Sequence, residues 1–94
     1  MEMNIEEITL QTEITITKLM QNAIKAESEH IASMCCDAAY GATVLWSDIC
    51  LVIMENSEEK DFNKKMEFIR ETKEQRLKFY EMTKKENVPL LKKY

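Results

Sequence analysis

The chain has 94 residues, of which 45% are hydrophobic and 32% are charged, with one Gly and one Pro. This length describes one domain, 1–94, and the ordinary apolar fraction excludes a disordered chain. Thirteen basic and 17 acidic residues give a net charge of only -4, which also opposes a disordered chain. A helical chain this short buries a modest core and often completes it by self-association.

The first segment is predicted to be a helix over 5–27, because apolar residues recur at helical spacing from Ile5 to Ala23. A β-branched Ile-Thr-Ile-Thr run also makes a strand at 8–17 an alternative, although no turn residues flank it. Ser28 can cap the following helix, or the first two helices can continue as one rod.

The middle segment is predicted to be a helix over 28–55 with an unusually apolar centre. Between Ile31 and Met54 there is no Lys or Arg, and eighteen of the twenty-four residues are hydrophobic. Asp37 and Asp48 oppose a membrane span, because each would cost about 2.5–3.5 kcal/mol at the centre of a membrane helix. We therefore expect no membrane contact and a central bundle helix that is packed on most of its sides.

Small side chains in this middle helix predict a close crossing with a neighbouring helix. Gly41 costs about 1 kcal/mol of helix propensity relative to Ala, which indicates a close contact or a kink. Two further helices can hardly cover so many apolar positions, so the sequence predicts a homodimer. The residues expected in the dimer contact or the core are Ala32, Cys35, Ala39, Ala42 and Trp46.

The third segment is predicted to be a helix over 58–86, followed by a short tail, 87–94. Asn56 is the expected N-cap, with Glu59 at the capping-box position, and Pro89 stops the helix. Together the three segments predict an all-α fold. It is either a three-helix bundle or an elongated helical hairpin, completed by dimerisation.

The amino end, 1–7, is acidic, whereas a secretory signal begins with basic residues before an apolar run, so we expect a cytoplasmic protein. Cys35, Cys36 and Cys50 make an odd number, and two are adjacent, so free buried thiols are expected. The sequence predicts no cofactor.

Glu27 and His30 have the Glu-x-x-His spacing that is used in di-iron carboxylate bundles. The chain has one His, so a full site would need two copies. The alternative function is therefore a dimeric metal-binding or thiol-redox protein that uses Glu27, His30 and the cysteines. No enzyme is expected, because a single Gly excludes phosphate-binding glycine loops and no nearby cation activates a thiol.

Charge is uneven along the chain. Residues 1–56 hold nine acids and two bases, a net charge of -7, and residues 57–94 hold eight acids and eleven bases, a net charge of +3. This favours docking of the last third onto the first two-thirds. A weaker alternative function is nucleic-acid binding through the basic helix 60–85, but interleaved acids weaken its field, so no nucleic acid is expected.

The leading hypothesis is a non-enzymatic, acidic, helical protein-interaction module that regulates or inhibits a partner protein by binding it. Usage rich in Lys, Glu, Ile and Asn suggests an accessory protein of a low-GC bacterium or a phage. The expected partner-binding residues are Asp37, Tyr40, Asp48 and Glu55.

Overall fold

The computed structural model describes residues 4–92, and these residues form the predicted all-α fold. The three helices are α1 (Ile5–Lys25), α2 (Glu29–Glu55) and α3 (Phe62–Met82). Two short 3-10 turns, Lys85–Asn87 and Pro89–Leu91, follow α3. α1 packs along α2 in the antiparallel direction, and α3 returns antiparallel to α2 and contacts both α2 and α1.

The strand alternative for 8–17 is wrong, because this segment is the middle of α1. The side chain of Asn4 accepts a hydrogen bond from the backbone N–H three residues later, at 2.9 Å, and so begins α1. The side chain of Ser28 does the same for α2, at 3.2 Å. Because the backbone at Ala26 is extended, α1 and α2 are separate helices and not one rod.

α3 is shorter at both ends than predicted. Asn56 is the C-cap of α2, and its side-chain amide donates to the carbonyl of Val52 at 2.8 Å, so it is not the N-cap of α3. Asp61 is that N-cap, because its carboxylate accepts from the backbone N–H of Asn63 at 2.9 Å. At the other end the backbone leaves the helix at Thr83.

The core lies mainly between α1 and α2, where alanines and a cysteine on α2 let the two backbones approach closely. Its buried hydrophobic residues are Ile16, Met20, Ala23, Ala32, Cys36, Ala39, Trp46, Cys50, Phe79 and Val88. Trp46 joins the three helices: its ring meets Phe79 of α3 edge-on at 5.1 Å, and its indole N–H donates to Thr9 Oγ1 of α1 at 2.9 Å.

The segment after α3, predicted as a tail over 87–94, contributes to the core. Val88 is completely buried, and Leu91 packs against the core residues. The side-chain amide of Asn87 donates to the carbonyl of Glu81 at 2.7 Å, which holds this segment against the end of α3. Residues 93–94 of the predicted tail lie outside the described residues.

The molecule is flat and elongated, with Cα extents of 50 × 32 × 15 Å and a radius of gyration of 15.6 Å. A compact chain of this length would have a radius of gyration of about 12.4 Å. The prediction that α2 is packed on most of its sides is wrong for a single chain. Its buried residues lie on one side, and the opposite side faces solvent.

Candidate protein-binding surfaces

Two of the four predicted partner-binding residues are engaged within the chain. Lys85 Nζ lies 3.5 Å from the Asp37 carboxylate and donates to Ser33 Oγ at 3.2 Å. The ring of Tyr40 stacks on that of Tyr80, with 5.8 Å between the centroids. This edge of α2 therefore contacts α3 and the segment that follows it, although Asp37 and Tyr40 keep exposed surface.

The other two, Asp48 and Glu55, are exposed and lie among apolar residues instead of on a thin polar edge. We call this surface the open face of α2. It consists of Ile31, Met34, Ala38, Gly41, Leu45, Asp48, Val52 and Glu55, all exposed. Leu45 is the most exposed of its large apolar side chains, at 62%. The apolar residues of this face belong to the helix that the sequence predicts to be packed on most of its sides, and their seven-residue spacing is a signal for a second packing seam.

The residues predicted for the core or the dimer contact divide into two groups. Ala32, Ala39 and Trp46 are buried, whereas Cys35 and Ala42 are partly buried beside the core. Ala42 also lines an open apolar groove of about 390 Å³ between α1 and α2. The other residues that line this groove are Ile8, Gln11, Thr12, Thr15, Leu45, Trp46 and Ile49. Through Leu45 the groove is continuous with the open face of α2.

A second apolar surface lies where the first half of α3 stands away from α2. We call it the α2–α3 cleft, and the exposed apolar residues that line its cavities are Leu51, Met54 and Ile69. One cavity there, of about 200 Å³, has Lys73 and Arg76 in its wall, and a neighbouring one, of about 230 Å³, has Lys64 and Lys65. The helical spacing of these apolar residues predicts a packed helix, and no sequence signal shows that α3 diverges here.

The residues of the metal and thiol alternative do not form a common site. Glu27 lies in the connection before Ser28, so it does not share a helix face with His30. Within residues 4–92 no three His, Cys, Asp or Glu side chains are grouped to hold a metal ion. Burial raises the pKa of the Cys36 and Cys50 thiols above their ordinary value of 9.0, which disfavours the reactive thiolate.

The basic helix 60–85 is partly neutralised inside the chain. Lys78 Nζ contacts the Glu13 carboxylate at 2.7 Å, and Lys84 Nζ contacts that of Glu81 at 2.9 Å. Arg76 donates to Ser47 Oγ at 3.0 Å, and Lys85 is engaged on α2 as described. These contacts reduce the positive charge that this helix can offer to a phosphate backbone.

Among the described residues, α2 is the one helix whose length and composition would allow it to cross a membrane. The same helix carries four acidic residues and no Lys or Arg. Interfacial and membrane-spanning helices are instead usually anchored by basic residues.

No family model, curated protein or solved structure matches this chain.

Proposed function

We propose that this chain is a non-enzymatic, cytoplasmic protein-interaction module that regulates or inhibits a partner protein by binding it at the α2–α3 cleft. The observation that supports this is the exposure of large apolar side chains that line the cleft, with Leu51 48% and Ile69 40% exposed. Contiguous apolar surface of this kind, rimmed by polar groups, is typical of protein-binding sites.

The chemistry of the cleft favours an amphipathic segment with acidic flanks. Its floor is apolar, with Phe68 and Ile69 from α3, and the charged residues of its rim are four cations, among them Lys64, Lys65 and Lys73, and one acid, Glu59. A partner segment would bury its apolar side chains against the floor, while its acidic groups would meet the rim and increase the association rate. The cleft does not include the partner-binding residues that the sequence predicts, Asp37, Tyr40, Asp48 and Glu55.

The test compares three tagged forms of the full chain in affinity purification from host cells, with quantitative mass spectrometry of the bound proteins. Ile69→Glu places a charge on the cleft floor, and Leu77→Glu is the matched control, because Leu77 is 55% exposed on the same helix outside the cleft. We expect at least a tenfold loss of a specific partner with Ile69→Glu and no loss with the control.

Two results would contradict the proposed function. Equal recovery of the same proteins by all three forms would place binding outside the cleft. Recovery of no specific protein by the wild-type chain would mean that the chain is not a partner-binding module under those conditions of expression. Far-ultraviolet circular dichroism of both variants should match that of the wild type, because neither position is buried.

A further inference from the structure

We propose that a second copy of this chain covers the open face of α2, with the two α2 helices antiparallel and Ala38 of one copy opposite Gly41 of the other. This surface lies on a different side of α2 from the cleft, so the inference is independent of the proposed partner binding.

The open face of α2 has the spacing of a coiled-coil seam. Apolar residues occupy one position at strict seven-residue intervals: Ile31, Ala38, Leu45 and Val52. The intervening seam positions are Met34, Gly41, Asp48 and Glu55, spaced alternately three and four residues from the first set. This 3-4 alternation is the pattern with which one helix packs along another. Within the described chain no element lies on it, since all eight residues are exposed.

Nothing within a single copy explains why position 41 of α2 is a glycine. It lies in the middle of α2 with ordinary helical backbone, and a Cβ built there would meet nothing within 4 Å. Glycine at such a position weakens a helix relative to alanine. A closely approaching second backbone gives the missing side chain a role, and Ala38, one turn away on the same face, allows the same approach.

The accessible surface of the single chain is large enough for a substantial interface with a second copy. The accessible surface is 7173 Å², whereas a compact monomer of 11.1 kDa exposes about 5,700 Å². The difference of about 1,500 Å² belongs to the whole flat molecule, including the cleft, and leaves room for the roughly 800 Å² that each partner buries in a standard interface. The groove beside Leu45 adds concave apolar surface that a side chain of the second copy can fill.

Charge opposes two other occupants and selects the direction of the second copy. α2 has no Lys or Arg, so this face does not attract anionic lipid or nucleic acid. In a parallel pair the two Asp48 carboxylates would face each other, and so would the two Glu55 carboxylates, which is unfavourable. With Ala38 opposite Gly41 in an antiparallel pair, the two Asp48 residues are separated along the axis by about 25 Å, well beyond the screening length in physiological salt.

The first experiment measures mass by size-exclusion chromatography with multi-angle light scattering at micromolar concentration. We expect the wild type to have twice the 11.1 kDa of one chain. Leu45→Glu and Gly41→Leu should raise the dissociation constant at least 100-fold and give monomers that keep the helical circular dichroism spectrum, because both positions are open in one copy. Ile69→Glu in the cleft and Leu77→Glu should remain dimeric.

A second measurement tests direction. A spin label is attached to Glu55→Cys in a chain that also carries Cys35→Ala, because Cys35 is only partly buried. The native thiols that remain, Cys36 and Cys50, are buried and should not take the label. The antiparallel pair predicts an inter-label distance of about 45 Å, and a parallel pair predicts about 10 Å.

Four outcomes would overturn the inference. A monomeric wild type would show that no second copy covers the open face of α2. A monomeric wild type that floats with phosphatidylcholine–phosphatidylglycerol vesicles would show that lipid covers this face instead. A Leu45→Glu dimer would place the interface elsewhere, and a short inter-label distance would exclude the antiparallel pair. None of these results depends on whether a partner binds the cleft.

Discussion

Trp46 shows how much of the fold depends on single side chains. It lies on α2, is 1% exposed, and touches α1 through Thr9 and α3 through Phe79. Its polar N–H is buried together with its ring, so the hydrogen bond to Thr9 satisfies a group that would otherwise lose its contact with water. A sequence reading identifies Trp46 as bulky and apolar, but cannot find its partner 37 residues away.

Thr9→Val should test this bond directly. Valine keeps the shape of threonine but cannot accept the indole N–H, so the free energy of unfolding should fall by about 1–2 kcal/mol. Urea unfolding followed by circular dichroism measures this. Thr17→Val, at an exposed position of the same helix, is the control and should change stability by less than about 0.5 kcal/mol. Equal effects of the two substitutions would mean that the bond contributes nothing measurable.

The buried thiols predict a pH dependence of stability. Burial raises the pKa of Cys36 and of Cys50 in the folded chain, so the unfolded chain loses these protons at lower pH than the folded chain. The free energy of unfolding should therefore be unaffected well below pH 9.0 and should fall as the pH rises above it. Thermal melts from pH 7 to 10 should show a shallower fall for Cys36→Ala than for the wild type. Parallel curves would refute the assignment.

At the scale of the helices, local sequence signals predicted most of what the structure shows. α1 and α2 begin and end within two residues of the expected positions, because apolar spacing and the cap at Ser28 are local properties. The start of α3 that the sequence predicts is wrong because Asn56 and Asp61 are both residues that can cap a helix. The choice between them depends on the loop that turns the chain back along α2, which is a property of the tertiary fold.

Asp61→Ala should show which residue begins α3. Loss of the cap leaves backbone N–H groups of the first turn without their acceptor, and the free energy of unfolding should fall by about 1 kcal/mol. Glu58→Ala, in the same loop, is the control, since its side chain makes no hydrogen bond in the described chain and lies outside the helix. A larger loss with Glu58→Ala than with Asp61→Ala would contradict the observed start of α3.

The binding surfaces could not be predicted to the same extent, and α2 shows why. Its residues are apolar around most of the helix, so the pattern alone does not say which side the other two helices cover. The structure covers the side of Ala32, Cys36 and Ala39 and leaves the side of Leu45 bare. The contacts of Asp37 with Lys85 and of Tyr40 with Tyr80 join residues that are far apart in the sequence, so no local pattern predicts them.

For the whole molecule, the uneven charge along the sequence corresponds to contacts between its two parts. Lys78 of α3 meets Glu13 of α1, and Lys85 meets Asp37 of α2, so cations of the last third lie on acids of the first two-thirds. These pairs are exposed and screened by water. We expect these pairs to contribute little to the free energy of unfolding. The last third is held mainly by its completely buried apolar residues, Phe79 and Val88.

A double-mutant cycle on Glu13 and Lys78 should measure this small contribution. Their side chains are 35% and 56% exposed, so we expect a coupling energy below about 1 kcal/mol that decreases further in 0.5 M salt. The cycle uses Glu13→Gln, Lys78→Gln and the double variant in urea unfolding at low and high salt. A coupling above about 2 kcal/mol, insensitive to salt, would show that the pair is shielded from solvent.

Because Trp46 is the single tryptophan of the chain and lies where α1, α2 and α3 meet, it provides an intrinsic optical probe of the intact fold. Its emission should be blue-shifted in the native protein and should move to longer wavelength only when the junction itself opens. The emission of this one fluorophore, followed over time after rapid mixing with denaturant, can therefore report how fast the three helices separate, without any added label.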